Sequence, residues 1–128
     1  MNHHLLIIED DEDIRETLVD VLEDHGYEVN SASNGLEGLE ALSASPRLPC
    51  LILLDLMMPR MDGAAFRQEQ RQREELAGIP VVVISAYRDA EERAATLEAA
   101  AFLPKPIDMH QLLHTVEMLC PDGRAPAL

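Results

Sequence analysis

Five short apolar runs punctuate this chain, and the stretches between them carry helical periodicity. The runs are "LLIIE" from Leu5, the weaker "EVNSAS" from Glu28, "CLILLD" from Cys50, "VVVISA" from Val81 and "FLPK" from Phe102. Runs apolar at nearly every position are the pattern of strands buried on both faces. Such strands pair in parallel, and parallel pairs need crossover helices. The pattern therefore predicts an α/β fold: a five-stranded parallel sheet, doubly wound, with five helices.

The intervening segments supply those helices. "DDEDIRETLVDVLEDHGYEV" places Ile14, Leu18, Val21 and Leu22 on one helical face, with acids at its start and Gly26 as a stop. Asn34 caps "GLEGLEALSAS", whose Leu36, Leu39 and Leu42 form an apolar stripe. "AAFRQEQRQREEL" is mostly polar and predicts a surface helix with a narrow buried face. "DAEERAATLEAA" is a fourth helix, and "DMHQLLHTVEMLC" a fifth with Leu112, Leu113, Val116 and Leu119 inward. At 128 residues the chain is one domain, expected over 1–120 with a short tail at 121–128 and no output domain.

Charge narrows the partners. A net −14 repels phosphate backbones and anionic lipids, so direct nucleic-acid or membrane-surface binding is not expected. Cys50 and Cys120 lie in no metal-ligand spacing. With no secretory leader and no apolar run near about 18 residues, two thiols point to a soluble, reducing, cytoplasmic setting. His3 and His4 read as a flexible end rather than a metal site.

In a parallel sheet, sites form outside the carboxyl ends of the strands. The residues that end the apolar runs are therefore the informative ones: Glu9, Asp10 and Asp11, then Asp55, then Ser85, then Lys105 followed by Pro106. Two carboxylates about 4 Å apart repel by roughly 4 kcal/mol at an effective dielectric near 20. Clustered acids must raise one another's pKa or take a cation. Magnesium suits best, because it needs few carboxylates and keeps room for water or phosphate oxygens. A carboxylate beside a divalent cation, an ammonium and a hydroxyl makes a phosphoryl-transfer site with Asp55 as nucleophile. The product is an acyl phosphate.

"LLIIEDDEDIRE", "LILLDLMMPRMDG", "VVVISA" and "FLPKP", in this order, resemble the receiver domain of two-component response regulators, single-domain chemotaxis regulators included. The resemblance covers almost the whole chain and implies a flavodoxin-like sheet of strand order 2-1-3-4-5. It implies Asp55 as phosphoacceptor, with Glu9, Asp10, Asp55 and the backbone carbonyl of Met57 as magnesium ligands. It makes Ser85 the switch hydroxyl, Lys105 the phosphate-contacting lysine and Phe102 the switch aromatic. It further implies a cis bond before Pro106 and a phosphohistidine donor on a sensor histidine kinase or histidine phosphotransfer protein. The readout would be a downstream protein target, with the chain a monomer or a phosphorylation-dependent dimer. Catalysis would be limited to its own phosphorylation and dephosphorylation.

Asp11 reads as a helix cap rather than a ligand, and Met57, Met58 and Met61 as hydrophobic cover, since soft sulfur does not favour magnesium. The interval from Ser85 to Lys105 is short for the family, and "EAAAF" stands where a Gly-Ala turn is common. The fourth helix must then stop without an αL glycine, which implies intact chemistry and an altered partner face. Bulky Met57 and Tyr87 predict slow self-dephosphorylation.

Two rivals belong to other classes. A magnesium-dependent phosphatase with an aspartyl-phosphate intermediate usually has a general acid just beyond its nucleophile, and position 57 is Met. A flavin or nucleotide binder would want a glycine-rich loop after the first strand, where this chain has acids.

Overall fold

The computed structural model describes residues 3–58, 60–86 and 88–120. The expected Pro59 turn, the Tyr87 contribution and the 121–128 tail lie outside the described residues.

Five parallel strands form one sheet in the order β2-β1-β3-β4-β5. They are β1 (His4–Ile8), β2 (Glu28–Ala32), β3 (Leu51–Asp55), β4 (Val81–Ser85) and β5 (Ala101–Pro104). Side chains alternate across the pleat, so each apolar run feeds two cores. Leu6, Ile8, Ile52, Leu54, Val81 and Val83 pack with Phe66 on one face. Leu5, Ile7, Leu51, Leu53, Val82 and Ile84 pack with Leu18, Leu22, Leu112 and Val116 on the other. A continuous apolar run is what a strand covered on both sides requires.

Helices α1 (Glu12–Asp24), α2 (Gly35–Ala44), α3 (Gly63–Gln72), α4 (Glu74–Ala77), α5 (Ala90–Thr96) and α6 (Met109–Leu119) cover those faces. Asp11 caps α1 by accepting from the Ile14 N–H, and Asn34 caps α2 by accepting from the Glu37 N–H. In α6, Leu112 and Val116 are fully buried, with Leu113 and Leu119 packed alongside.

Among the described residues six helices stand where five were expected. The segment read as one helix breaks at Arg73, whose extended backbone (φ −101°, ψ 111°) separates α3 from the single turn of α4. The amide of Gln70, buried in α3, donates to the carbonyls of Leu76 and Ile79 and so holds that turn against the sheet. The narrow buried face of α3 is accordingly part polar, with Arg67 and Gln70 beside Phe66.

Two expectations at the opposite edge are corrected. His4 is not part of a flexible end: it opens β1, is buried, and its Nε2 lies 2.9 Å from the Asn30 side-chain amide. Burial, then the charge of Arg47, lowers its pKa below the ordinary histidine value. Cys50 and Cys120 are not two separate thiols. They form a disulfide with Cα atoms 5.6 Å apart, tying the start of β3 to the end of α6 across 70 residues. Among the described residues no helix is long and apolar enough to cross a membrane.

Candidate functional site

The parallel register decides what meets at the carboxyl edge. Ile8 pairs with Leu54, Asp55 with Ile84, and Ser85 with Pro104. Glu9, Asp55, Ser85 and Lys105 therefore leave neighbouring strands at nearly one level. Glu9, Asp55 and Ser85 are buried, while Asp10 is exposed at the rim.

Lys105 binds this set together. Its Nζ lies 2.6 Å from Glu9 Oε1 and 3.4 Å from Asp55 Oδ2. The Lys105 N–H donates to the Ser85 carbonyl at 3.0 Å, which ties the end of β5 to that of β4. The Lys105–Pro106 bond is cis, as the resemblance implies. The Asp11 N–H donates to Glu9 Oε2, and the Met57 N–H to Asp55 Oδ1 at 3.2 Å.

The loop after β3 returns closely over Asp55. The Gly63 N–H donates to the Leu56 carbonyl. A β-carbon at Gly63 would lie 2.6 Å from the Asp55 carbonyl oxygen and 2.8 Å from Leu56 Cα, both backbone atoms. Only glycine admits this approach. Met58 is buried and Met61 packs on the core, as expected of cover, whereas Met57 is 46% exposed at the mouth of the site.

The electrostatics follow from this crowding. Burial first, then the hydrogen-bonded and charged Glu9 carboxyl, push Asp55 from 3.8 up to about 8, against the pull of Lys105 and the Met57 N–H. Burial works against the Lys105 ammonium, but the hydrogen bond to Glu9 and the charges of Asp55 and Glu9 outweigh it and hold its pKa above the ordinary lysine value. One lysine against three acids leaves an excess of negative charge.

Glu9, Asp10 and Asp55 each offer a carboxylate oxygen, and these atoms lie within 4.8 Å of one another. Hard oxygen donors at that spacing can hold a metal ion, and the donor set fits a small divalent cation.

Phe102, on β5, pairs with Val83 of β4 and is half-buried against the core that also receives Ala90, Ala94 and Leu97. It thus stands where strand and α5 meet. Arg15 escaped the sequence reading: its Nη1 donates to the Glu9 carbonyl at 2.9 Å and fixes the backbone from which two acids project. The available signal was its isolation as the sole basic residue in an otherwise acidic helix.

The comparisons agree with this geometry. The sequence pattern of the response regulator receiver domain matches residues 5–117. The chain is 37% identical over 121 residues to the response regulator MprA of Mycobacterium ulcerans, covering 93% of this chain and 50% of that protein. It is 33% identical over 125 residues to a transcriptional regulatory protein CpxR homolog of Haemophilus influenzae, covering 96% and 52%. The chain thus spans about half the length of these curated relatives. Among solved structures, a response regulator receiver protein from Pseudomonas putida superposes with a TM-score of 0.84 at 28% identity, over 92% of this chain and 98% of that one. The signal receiver domain of a histidine kinase from Syntrophus aciditrophicus gives 0.83 at 29%, over 98% and 96%. Sheet order, strand-end chemistry and both kinds of likeness converge on one conclusion: this chain belongs to the response regulator receiver domains, the phosphorylation-based signalling modules of two-component systems.

Proposed function

We propose that Asp55 is the phosphoacceptor of this receiver. One observation carries the reading: a buried aspartate at a strand end shares a 4.8 Å cluster with two other carboxylates and lies 3.4 Å from a lysine ammonium. An Asp55 oxygen attacks the phosphorus of a phosphohistidine. The O–P bond forms as the P–N bond breaks, the imidazole leaves, and Asp55 becomes an acyl phosphate. Glu9, Asp10 and Asp55, with the Met57 carbonyl, would hold magnesium. When bound, that ion neutralises charge on the phosphoryl oxygens.

Lys105 and Ser85 serve the phosphoryl group from the other side. The ammonium moves from Glu9 to a phosphoryl oxygen, and the Ser85 hydroxyl donates to another. Phe102, on the neighbouring strand, follows Ser85 and shifts the population of the α5–β5–α6 face. The chain catalyses only its own phosphorylation and dephosphorylation. The donor is a sensor histidine kinase or histidine phosphotransfer protein, and the readout a downstream protein target. The acidic composition supports protein rather than nucleic-acid or membrane partners.

The test is direct. Incubation with magnesium and acetyl phosphate adds one phosphoryl group to the wild type, mapped to Asp55, and none to Asp55→Asn. Equal modification of both would overturn the assignment.

A further inference from the structure

The short Ser85–Lys105 interval has a structural counterpart. Helix α5 spans only Ala90–Thr96 and ends without glycine. Glu98 takes the left-handed conformation instead (φ 56°), which is costly for a residue with a β-carbon. What holds this end in place comes from another helix. Arg67 of α3, only 7% exposed, donates from Nε to the Leu97 carbonyl at 2.9 Å and from Nη2 to the Glu98 carbonyl at 3.1 Å. Its Nη1 donates to Gln70 Oε1 at 2.8 Å, and the Gln70 amide passes on to the carbonyls of Leu76 and Ile79, at 2.9 and 3.0 Å.

The two side chains form one buried relay joining two places far apart in sequence: the end of α5 that leads into β5, and the segment that leads into β4. A guanidinium and an amide whose donors and acceptor are matched in this way are expensive to disturb singly, because each loss strands a buried polar partner. The chain beyond is tied as well. The Ala99 N–H donates to the Ala94 carbonyl, and the Ala100 N–H to the Val81 carbonyl at 2.8 Å.

The relay sits at the amino edge of the sheet, while Ser85 ends β4 at the carboxyl edge beside Asp55. Accepting the phosphorylation reading above, we propose that Arg67 and Gln70 are positioning residues that form the fulcrum of the switch. They pin the start of β4 and the exit of α5, so that rearrangement on phosphorylation is confined to the opposite end, from Ser85 to the start of α5, and to Phe102. The strained, glycine-free turn is thus a fixed point, and the altered partner face pivots about it.

The fulcrum predicts a boundary, which a purely stabilising role does not. The experiment is residue-resolved NMR of the full chain with and without magnesium beryllofluoride, combined with amide hydrogen exchange, on the wild type, Arg67→Met and Arg67→Lys. In the wild type, Ser85 and Phe102 resonances shift on beryllofluoride while Ala99 and Ala100 stay nearly fixed and exchange slowly. In Arg67→Met, Ala99 and Ala100 exchange about tenfold faster relative to core amides such as Leu53. They also join the shifting set, although the site still takes beryllofluoride. Arg67→Lys, with one ammonium in place of the fork, falls between.

A folded Arg67→Met with the wild-type set of shifting amides, or with exchange raised uniformly across the core, overturns the fulcrum. Should Arg67→Met not fold, wild-type exchange at Ala99 and Ala100 in Arg67→Lys overturns it. No beryllofluoride response in the wild type would overturn the phosphorylation reading itself, and the exchange comparison would still decide whether the relay pins this turn.

Discussion

Lys105 is closer to Glu9 than to Asp55: 2.6 Å against 3.4 Å. The lysine's nearer partner is thus Glu9 of the carboxylate cluster rather than Asp55. The ammonium offsets part of the negative charge of the carboxylate cluster, and on the magnesium-binding reading proposed above a cation would compete with it for Glu9.

Removing the lysine should therefore help the cation and harm the switch. Lys105→Ala is expected to bind magnesium at least several-fold more tightly, because the ammonium no longer competes for the buried Glu9 carboxylate. Its Asp55 can still be modified, while the Phe102 response to beryllofluoride weakens. Calorimetric titration and NMR check the two halves. Weaker magnesium binding would contradict the competition.

The Asp55 carboxyl, raised to about 8 chiefly by burial and then by Glu9, should make the cation binding proposed above pH-dependent. The metal must displace a proton. Apparent magnesium affinity should rise with pH until about 8 and level off above it, and Asp55→Asn should flatten that rise. Metal-free stability runs the other way. A folded-state pKa above the unfolded value of 3.8 contributes stability that is complete below 3.8 and is lost as pH rises through about 8. Chemical denaturation across that window, with and without magnesium, measures both.

Gly63→Ala should be costly for its size. The added methyl meets the Asp55 carbonyl oxygen and Leu56 Cα, backbone that cannot turn aside as a side chain would. The expected loss is about 1–3 kcal/mol, the range of overpacked sites. Because the displaced backbone is that of Asp55, the acceptor proposed above, phosphorylation by acetyl phosphate should slow as well. Urea titration and phosphorylation kinetics report on each.

The Cys50–Cys120 disulfide closes a long loop at the edge of the sheet away from Asp55. Reduction should lower stability by about 2–4 kcal/mol and leave the rate of Asp55 phosphorylation unchanged. Melting with and without dithiothreitol, paired with phosphoryl transfer, separates these effects.

Met57 is half-exposed, and its backbone N–H donates to Asp55; if Asp55 carries the phosphoryl group as proposed, the Met57 side chain would restrict water there. Met57→Ala should hasten self-dephosphorylation by roughly a few-fold. An unchanged half-life of the phosphoprotein would remove Met57 from that role.

The fold was legible because its signals are local and repeated. A strand covered on both faces must be apolar throughout, and parallel connection sends every strand's carboxyl end to one edge. Glu9, Asp55, Ser85 and Lys105 could thus be brought together from the chain order alone. The caps at Asp11 and Asn34 were legible for the same reason, since each closes within three residues. Other features depend on which distant segments touch. His4 looked like a loose terminus until β1 began there and Asn30 came beside it, 26 residues away. Cys50 and Cys120 became partners only when α6 returned to the start of β3. The break at Arg73 and the relay through Arg67 and Gln70 read as a polar surface helix, because nothing within α3 indicates the carbonyls of Leu97 and Glu98. Periodicity along the chain determines which residues face a core or end a strand. Only tertiary packing decides which buried polar groups find one another, because their partners are set by the assembled sheet and not by neighbours in sequence.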